Sequence, residues 1–327
     1  MRNRSIPKSS IIICILGLFI ISTSLSFGAM TLAGYLNGKL LGSGVSPNDR
    51  VGTIMLTTDH CDITWSDVVV RGATPFTETW NYQTEFPDNW ILVAGKPHYY
   101  SFEGTSPRTL HVNPENDFTR IVYSPGARNG KGGQLARFVP PYELIAKVQA
   151  SGVNSTRYRL RIGMGDTSTD PVESLTCYQI AVQEDYVGIR DRQFNVLYGK
   201  GYRFPLGQAT LRLLVRNPVP VRFTNFNQDI IESISSTGSY ITVEDLSVNS
   251  DASTIQSFPV TITTVSGDNE RIMLEETWKN SGIFMNKKSI AISQGAPIPG
   301  NGIIEGTNNE LVTVTYRRET ATAKLSF

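Results

Sequence analysis

Short apolar runs with a two-residue period recur along the chain, and turn-forming residues separate them. In the segment FPVTITTV, the apolar residues Phe258, Val260 and Ile262 alternate with Pro and Thr, which is the pattern of a half-buried strand. The segment ELVTVTY repeats the pattern with Val312 and Val314. No long stretch shows the spacing of three or four residues that an amphipathic helix requires. The pattern therefore predicts an all-β protein built from antiparallel β-sandwiches.

Further strands are predicted in both parts of the chain, between clusters of Gly, Pro, Asn and Asp such as SPGARNGKGG and GDTSTDP. The predicted strands of the N-terminal part are TIMLTT from Thr53, DVVVR from Asp67, WILVAG from Trp90, TRIVYS from Thr119, LIAKVQA from Leu144, YRLRIG from Tyr158, CYQIAVQ from Cys177 and ATLRLLVR from Ala209. Those of the C-terminal part are YITVEDL from Tyr240, RIML from Arg271, SIAIS from Ser289 and ATAKLSF at the end.

A domain boundary is predicted near residue 225, just after the segment RNPVPVRF. Its two prolines, Pro218 and Pro220, favour an extended connection. Residues 30–224 would then form a β-rich domain, either one large sandwich or two small ones. Residues 225–327 offer about six or seven short strands, as many as an immunoglobulin-like β-sandwich needs.

The N-terminus has the layout of a secretory signal peptide. Arg2, Arg4 and Lys8 precede an apolar run from Ile11 to Ile21, and small and polar residues follow it. The run is shorter than the roughly 20 apolar residues of a transmembrane helix. Residues 1–29 are therefore predicted to be a cleaved signal peptide, with an uncleaved membrane anchor as the alternative. The mature chain, without a membrane span, is expected outside the cell, on its surface or in the periplasm.

Composition and charge narrow the function. Hydrophobic residues make up 40% of the chain and charged residues 18%, which is typical of a globular protein. The mature chain would carry a net charge of about −2, so no attraction to nucleic acid is expected. It would keep two cysteines, Cys61 and Cys177, which an oxidising compartment favours as one disulfide. Two separate buried thiols are the alternative.

The C-terminal part also resembles a known family. The segments YITVEDLSVNSD, VTITTVSGDNERIMLEETWKNSGIF and VTVTYRRETATA follow one another in this order. They resemble a repeat domain of bacterial secreted and cell-surface proteins with an immunoglobulin- or cadherin-like sandwich, over about residues 238–327. That family has a Leu-x-Glu-Thr…Asn-Thr-Gly-Val-Phe corner and a closing Thr-Val-Thr-Tyr strand. The chain departs from it at Trp278, where a small residue is usual, and at Arg317 and Arg318, where an acidic residue commonly follows the tyrosine.

The corner LEETWKNSGIF contains paired carboxylates but is predicted to be structural. Its Asn-Ser-Gly turn ends in Gly282, which tolerates a positive φ, and Glu276 can accept hydrogen bonds from backbone N–H groups of the turn. His60 lies in the segment DHCD, which could ligate a metal, but His60 is predicted to be a surface histidine beside a disulfide-bonded Cys61. His98 and His111 have no partners at ligand or triad spacing, and no Gly-x-Ser-x-Gly motif occurs. The chain is therefore predicted not to be an enzyme, with a secreted hydrolase as a minor hypothesis.

Two groups of residues are candidate binding sites. Asp245, Asn249, Asp251 and Asp268 would supply oxygen ligands for a structural calcium ion at strand ends, or would simply form turns. No other cofactor is predicted.

The second group consists of the aromatic residues Trp80, Tyr82 and Trp90, which Phe86 accompanies. Such a cluster suits a carbohydrate- or protein-contact surface. It suits a tryptophan-rich core equally well.

Together these features predict a non-catalytic structural or adhesive protein of a bacterial envelope, surface layer or extracellular assembly. Its partners would be other surface or envelope proteins, or its own copies paired through the edge strands Ser289–Ser293 or Ala321–Phe327. A glycan-binding module is the alternative. An outer-membrane barrel is disfavoured because the strands are short and Glu319 and Lys324 interrupt the last one.

Overall fold

The computed structural model describes residues 29–47, 52–82, 86–114, 117–153, 159–165, 178–183, 186–192, 195–201 and 207–327. Within these residues the chain forms 25 strands and one 3₁₀ turn, Pro97–Tyr99, and no α-helix. The all-β prediction is confirmed. The predicted signal peptide lies outside the described residues except for Ala29. No helix among the described residues is long and apolar enough to cross a membrane.

Eight antiparallel strands form the first sheet. They are β1 (Met30–Leu36), β2 (Lys39–Ser46), β4 (Cys61–Gly72), β5 (Phe76–Glu78), β7 (Tyr100–Glu103), β8 (Thr109–Val112), β10 (Tyr142–Val153) and β15 (Gly207–Arg216). Their order is β2-β1-β15-β10-β4-β8-β7, with β5 paired to β4.

Seven antiparallel strands form the second sheet. They are β3 (Thr53–Asp59), β6 (Trp90–Ala94), β9 (Phe118–Tyr123), β11 (Arg159–Gly165), β12 (Tyr178–Gln183), β13 (Tyr186–Arg192) and β14 (Asn195–Gly201). Their order is β14-β13-β12-β11-β3-β9-β6.

These two sheets enclose one hydrophobic core, and we call the pair the first sandwich. Strand β15 shows the rule that builds it, because its residues from Ala209 to Val215 alternate between buried and partly exposed positions. The side chains of both sheets meet in a single cluster, which includes Leu32, Val68, Leu144, Leu211, Ile54, Leu56, Ile162 and Ile180. The first sandwich therefore depends on the period-two pattern that the sequence displays.

The C-terminal strands form the second sandwich around a separate core. They are β16 (Val221–Thr224), β17 (Ser233–Ile234), β18 (Tyr240–Glu244), β19 (Ser257–Thr264), β20 (Asn269–Glu276), β21 (Ile283–Met285), β24 (Leu311–Tyr316) and β25 (Glu319–Leu325), with the small parallel pair β22 (Ile292–Gln294) and β23 (Ile304–Gly306). The large sheet has the order β16-β18-β21-β20-β19-β24-β25-β17. Its core includes Phe223, Ile241, Val260, Ile262, Phe284, Val312 and Val314. The two cores divide the chain between Val215 and Val221.

The aromatic segment that the sequence offered as a contact surface is part of the first core. Trp80 and Trp90 are both 0% exposed, and their rings lie 5.4 Å apart. Glu78, itself buried, accepts hydrogen bonds from the Trp90 indole N–H (2.9 Å), the Tyr82 hydroxyl (2.6 Å) and the backbone N–H of Trp80 (2.9 Å). Trp80 and Trp90 therefore do not form an exposed glycan-contact surface, because both rings are buried in this core and the Trp90 indole N–H is bonded to Glu78.

Replacing Glu78 with alanine should lower the free energy of unfolding by about 3 kcal/mol or more. The change leaves the Trp90 indole and backbone N–H groups without an acceptor, and each buried unsatisfied group costs about 1–3 kcal/mol. Urea denaturation monitored by tryptophan fluorescence would measure the loss. Glu232→Ala, at an exposed position, is the control and should change stability by less than about 0.5 kcal/mol. Equal stability of the two variants would show that Glu78 does not organise this core.

Candidate functional site at the junction of the two sandwiches

The four predicted calcium ligands hold turns and do not converge. Asp245 accepts hydrogen bonds from the Tyr316 hydroxyl (2.6 Å) and Arg317 (2.7 Å) near one end of β24. Asp268 accepts the backbone N–H groups of Asn269 (2.9 Å) and Glu305 (3.0 Å), beside Thr264. Because Thr264 pairs with Val312, Asp268 lies near the other end of β24.

The remaining two residues also bond to neighbours in loops: Asn249 donates to Asn280 (3.1 Å), and Asp251 accepts from Ser253 (2.8 Å). In the part of the chain that the structure describes, no group of three or more His, Cys, Asp or Glu residues is arranged to hold a metal. The positions of these residues thus favour turn formation over ligation.

The predicted disulfide joins Cys61 and Cys177. Cys61 is buried at the start of β4, whereas Cys177 lies outside the described residues. The disulfide therefore stays a prediction.

His111 has partners that sequence spacing did not reveal. Its Nε2 contacts Asp62, and its Nδ1 lies 3.3 Å from Ser101 Oγ and 3.4 Å from a Glu103 oxygen. The contacts arise because β4, β8 and β7 are neighbours and place these side chains on one outer face. Ser101 is exposed there, so the group resembles a surface charge cluster more than an enclosed catalytic site.

The junction between the sandwiches is organised by one buried carboxylate. Glu244, at the end of β18, accepts hydrogen bonds from Arg216 (2.5 and 2.9 Å) and Arg222 (2.5 Å). It also accepts the Thr31 hydroxyl (2.7 Å) and the backbone N–H of Val219 (2.8 Å). Thr31 and Arg216 belong to the first sandwich, whereas Arg222 belongs to the second. Glu244 therefore ties both sandwiches and the connection between them to one point.

The electrostatics of this carboxylate follow from its partners. Desolvation of the fully buried side chain opposes ionisation, but Arg222 and Arg216 outweigh it and lower the pKa of Glu244 to about 2. Glu244 is thus a carboxylate at neutral pH, and its charge is compensated by the two guanidinium groups.

The corner LEETWKNSGIF is the second element of the junction. Gly282 has a φ of +62°, and its N–H donates to Glu276 Oε1 (2.9 Å), which confirms the predicted structural corner. The carbonyl of Ser281 accepts the N–H of Val45 from the edge strand β2 (2.7 Å). The Trp278 ring lies 5.7 Å from the Tyr198 ring of β14. Trp278 therefore provides a contact to the first sandwich.

A groove with a volume of about 420 Å³ opens beside these contacts, and we call it the junction groove. The first sandwich contributes residues of β2 and β14, and the second contributes the loop after β16 and parts of β20 and β21. Its distinctive members are Lys39, Lys200, Lys287, Tyr198, Phe226 and Gln228. Sequence reasoning missed all six, because they converge only when the sandwiches are docked.

Comparison with protein-family models and with curated proteins gives no match for this chain. Its function must therefore be argued from the geometry of the junction and from the residues themselves.

Replacing Glu244 with glutamine should lower the free energy of unfolding by about 3 kcal/mol at pH 7. This value corresponds to a pKa that falls from 4.5 to about 2 on folding. Because the folded pKa is lowered, the stabilisation is present above pH 4.5 and is lost as the pH falls towards 2. The difference between wild type and variant should therefore shrink over this range, as urea denaturation at pH 7, 4 and 2.5 would reveal.

Glu319→Gln, at an exposed position on β25, is the matched control and should change little at any pH. A stability difference for Glu244→Gln that stayed constant from pH 7 to 2.5 would contradict the ionised, arginine-held state of Glu244.

Proposed function

We propose that the chain is a non-catalytic structural or adhesive protein, exported by a bacterium and acting in its envelope, surface layer or an extracellular assembly. The observation that carries this proposal is the Glu244 junction. A buried carboxylate shared by Arg216, Arg222 and Thr31 couples the two sandwiches. Coupled sandwiches suit a protein that displays surfaces or transmits force, because their relative orientation is fixed by direct bonds.

The strand order supports an immunoglobulin-like second sandwich. In the eight-stranded sheet, β16, β18, β21 and β20 follow one another as A, B, E and D do in that fold, and β19, β24 and β25 follow as C, F and G do. The two runs are joined through the pairing of β19 with β20. The resemblance of residues 238–327 to bacterial surface repeats points the same way.

The expected partners are surface or envelope proteins, or further copies of the chain. Of the two candidate edges, Ser289–Ser293 is partly occupied, since Ile292 and Ser293 pair with β23. In the segment Ala321–Phe327, β17 and the residue before it cover Lys324 to Ser326, and the part of β25 before Lys324 is more open. We therefore favour β25 as the strand that offers backbone groups to a partner.

A binding module is the second candidate function. The aromatic segment no longer supports it, because Trp80 and Trp90 are buried. The junction groove supports it instead, because it combines cationic, amide and aromatic side chains in a cleft between two structural units.

Export should depend on the apolar run at the N-terminus. Leu18→Arg places a charge in that run and should retain the protein inside the cell, whereas Asn3→Gln, in the polar leader, should not. Immunoblots of cytosolic, periplasmic and medium fractions would measure the distribution. The exported wild-type chain should also lose about 29 residues and contain no free thiol after denaturation without reductant. A full-length cytosolic protein in the wild type would overturn the proposal.

Assembly and catalysis test the rest of the proposal. Size-exclusion chromatography and electron microscopy of the purified mature chain should reveal oligomers or attachment to envelope material. A hydrolase activity that His111→Ala abolishes would contradict the non-catalytic assignment.

A further inference from the structure

The junction groove carries positive charge that the protein does not neutralise. Its lining holds three lysines and two glutamates: Lys287 pairs with Glu275 (2.6 Å), and the buried Glu276 accepts the N–H of Gly282 (2.9 Å). Lys39 and Lys200, both exposed, form no ion pair with any residue in the described part of the chain. Lysine side chains that face a cleft without a partner attract anions. The groove thus favours a ligand that bears a carboxylate or similar acid group.

A buried amide gives the groove a fixed polar point. Gln228 is only 8% exposed, and its Oε1 accepts the Ser43 hydroxyl at 2.8 Å. That bond orients the Gln228 amide. The Nε2 atom of Gln228 has no hydrogen-bond partner among the described residues. The backbone of Gln228 is held in the left-handed region (φ 62°), where its N–H donates to Asn225 (3.0 Å). An oriented donor of this kind suits recognition of a ligand oxygen.

Two aromatic rings form apolar walls. The Tyr198 ring packs directly on Gly42, where an added β-carbon would lie 2.0 Å from its Cδ1. Only glycine at position 42 allows this close approach. Phe226 is 59% exposed, and its ring lies 5.8 Å from that of Tyr240. A partly exposed ring beside polar donors is a surface on which the apolar face of a sugar ring can pack.

The backbone of β2 argues against an extended peptide in the same place. A peptide that adds to a sheet edge needs a row of free backbone groups. The N–H of Leu40 is already bonded to Asn227 Oδ1 (3.3 Å), and that of Val45 to the Ser281 carbonyl (2.7 Å). Residues of the second sandwich therefore already bond some of the β2 backbone groups that a peptide would need.

We propose that the junction groove binds an acidic saccharide of the uronic-acid type. Lys39 and Lys200 pair with its carboxylates, the Gln228 amide donates to a ring or hydroxyl oxygen, and Tyr198 and Phe226 pack on its apolar face. The volume of about 420 Å³ lies within the roughly 300–1,000 Å³ of small-ligand sites. This inference rests on the proposed extracellular role, since such polymers are met outside the cell.

Titration calorimetry of the mature chain with tetragalacturonate tests the inference, with neutral galactotetraose and a tetraglutamate peptide as comparison ligands. Tetragalacturonate should bind best, and its affinity should fall as salt is raised from low ionic strength. Gln228→Glu should weaken binding at least tenfold, because the new carboxylate still accepts the Ser43 hydroxyl but repels the ligand. Lys39→Gln and Lys200→Gln should each weaken binding about two- to fivefold. Lys324→Gln, exposed on β25, should not change it.

Three outcomes would overturn the inference: no binding of tetragalacturonate at millimolar concentration, equal binding by wild type and Gln228→Glu, or tighter binding of tetraglutamate. Thermal unfolding of each variant distinguishes loss of the site from loss of the fold. The inference and the proposed function fail separately. If the protein is exported and assembles but binds no acidic saccharide, only the inference about the groove is contradicted. If the protein is cytosolic or is an enzyme, the proposed function is contradicted.

Discussion

The structure depends on the compensation of one buried negative charge. Moving a carboxylate out of water is costly, and the cost is tolerated only where cations and hydrogen-bond donors surround it. Glu244 meets this requirement with partners that no single sandwich provides: Arg216 from the first, Arg222 from the second, and the N–H of Val219 from the connection. Separating the sandwiches would leave the carboxylate without part of this set. The electrostatic requirement of one side chain thereby becomes a constraint on the relative orientation of two structural units.

Two residues of the second sandwich, Trp278 and Arg317, make contacts at this junction or beside it that explain their side chains. The Trp278 ring packs near Tyr198 of the first sandwich. The Arg317 guanidinium lies 2.7 Å from Asp245. A side-chain cation thus supplies positive charge next to that carboxylate, which makes a bound metal unnecessary for its neutralisation. The contacts of Trp278 and Arg317 thus give each of these residues a structural role.

The sequence predicts the part of the structure that local periodicity determines. The alternation in ATLRLLVR and FPVTITTV is the alternation of buried and exposed positions in β15 and β19. The corner at Gly282 was also predictable, because the turn chemistry lies within a few residues. The partners of Glu244 were not, since Thr31 lies 213 positions away and nothing local distinguishes this glutamate from exposed ones. The burial of the aromatic segment likewise could not be predicted from local sequence. Trp80, Tyr82 and Trp90 suit a core or a contact surface equally, and the buried acceptor Glu78 decides between them.

The shape of the junction groove also depends on the fixed orientation of the two sandwiches at Glu244. Its two walls belong to different sandwiches, so its width and the separation of its lysines are set by how the sandwiches dock and not by either fold alone. The bonds of Glu244 and the contact between Val45 and Ser281 fix that docking before any ligand arrives. A preorganised cleft avoids the ordering cost that a flexible loop would add to binding. Weak, exposed groups such as Lys39 and Lys200 can then contribute to affinity, because the ligand does not have to draw the two walls together.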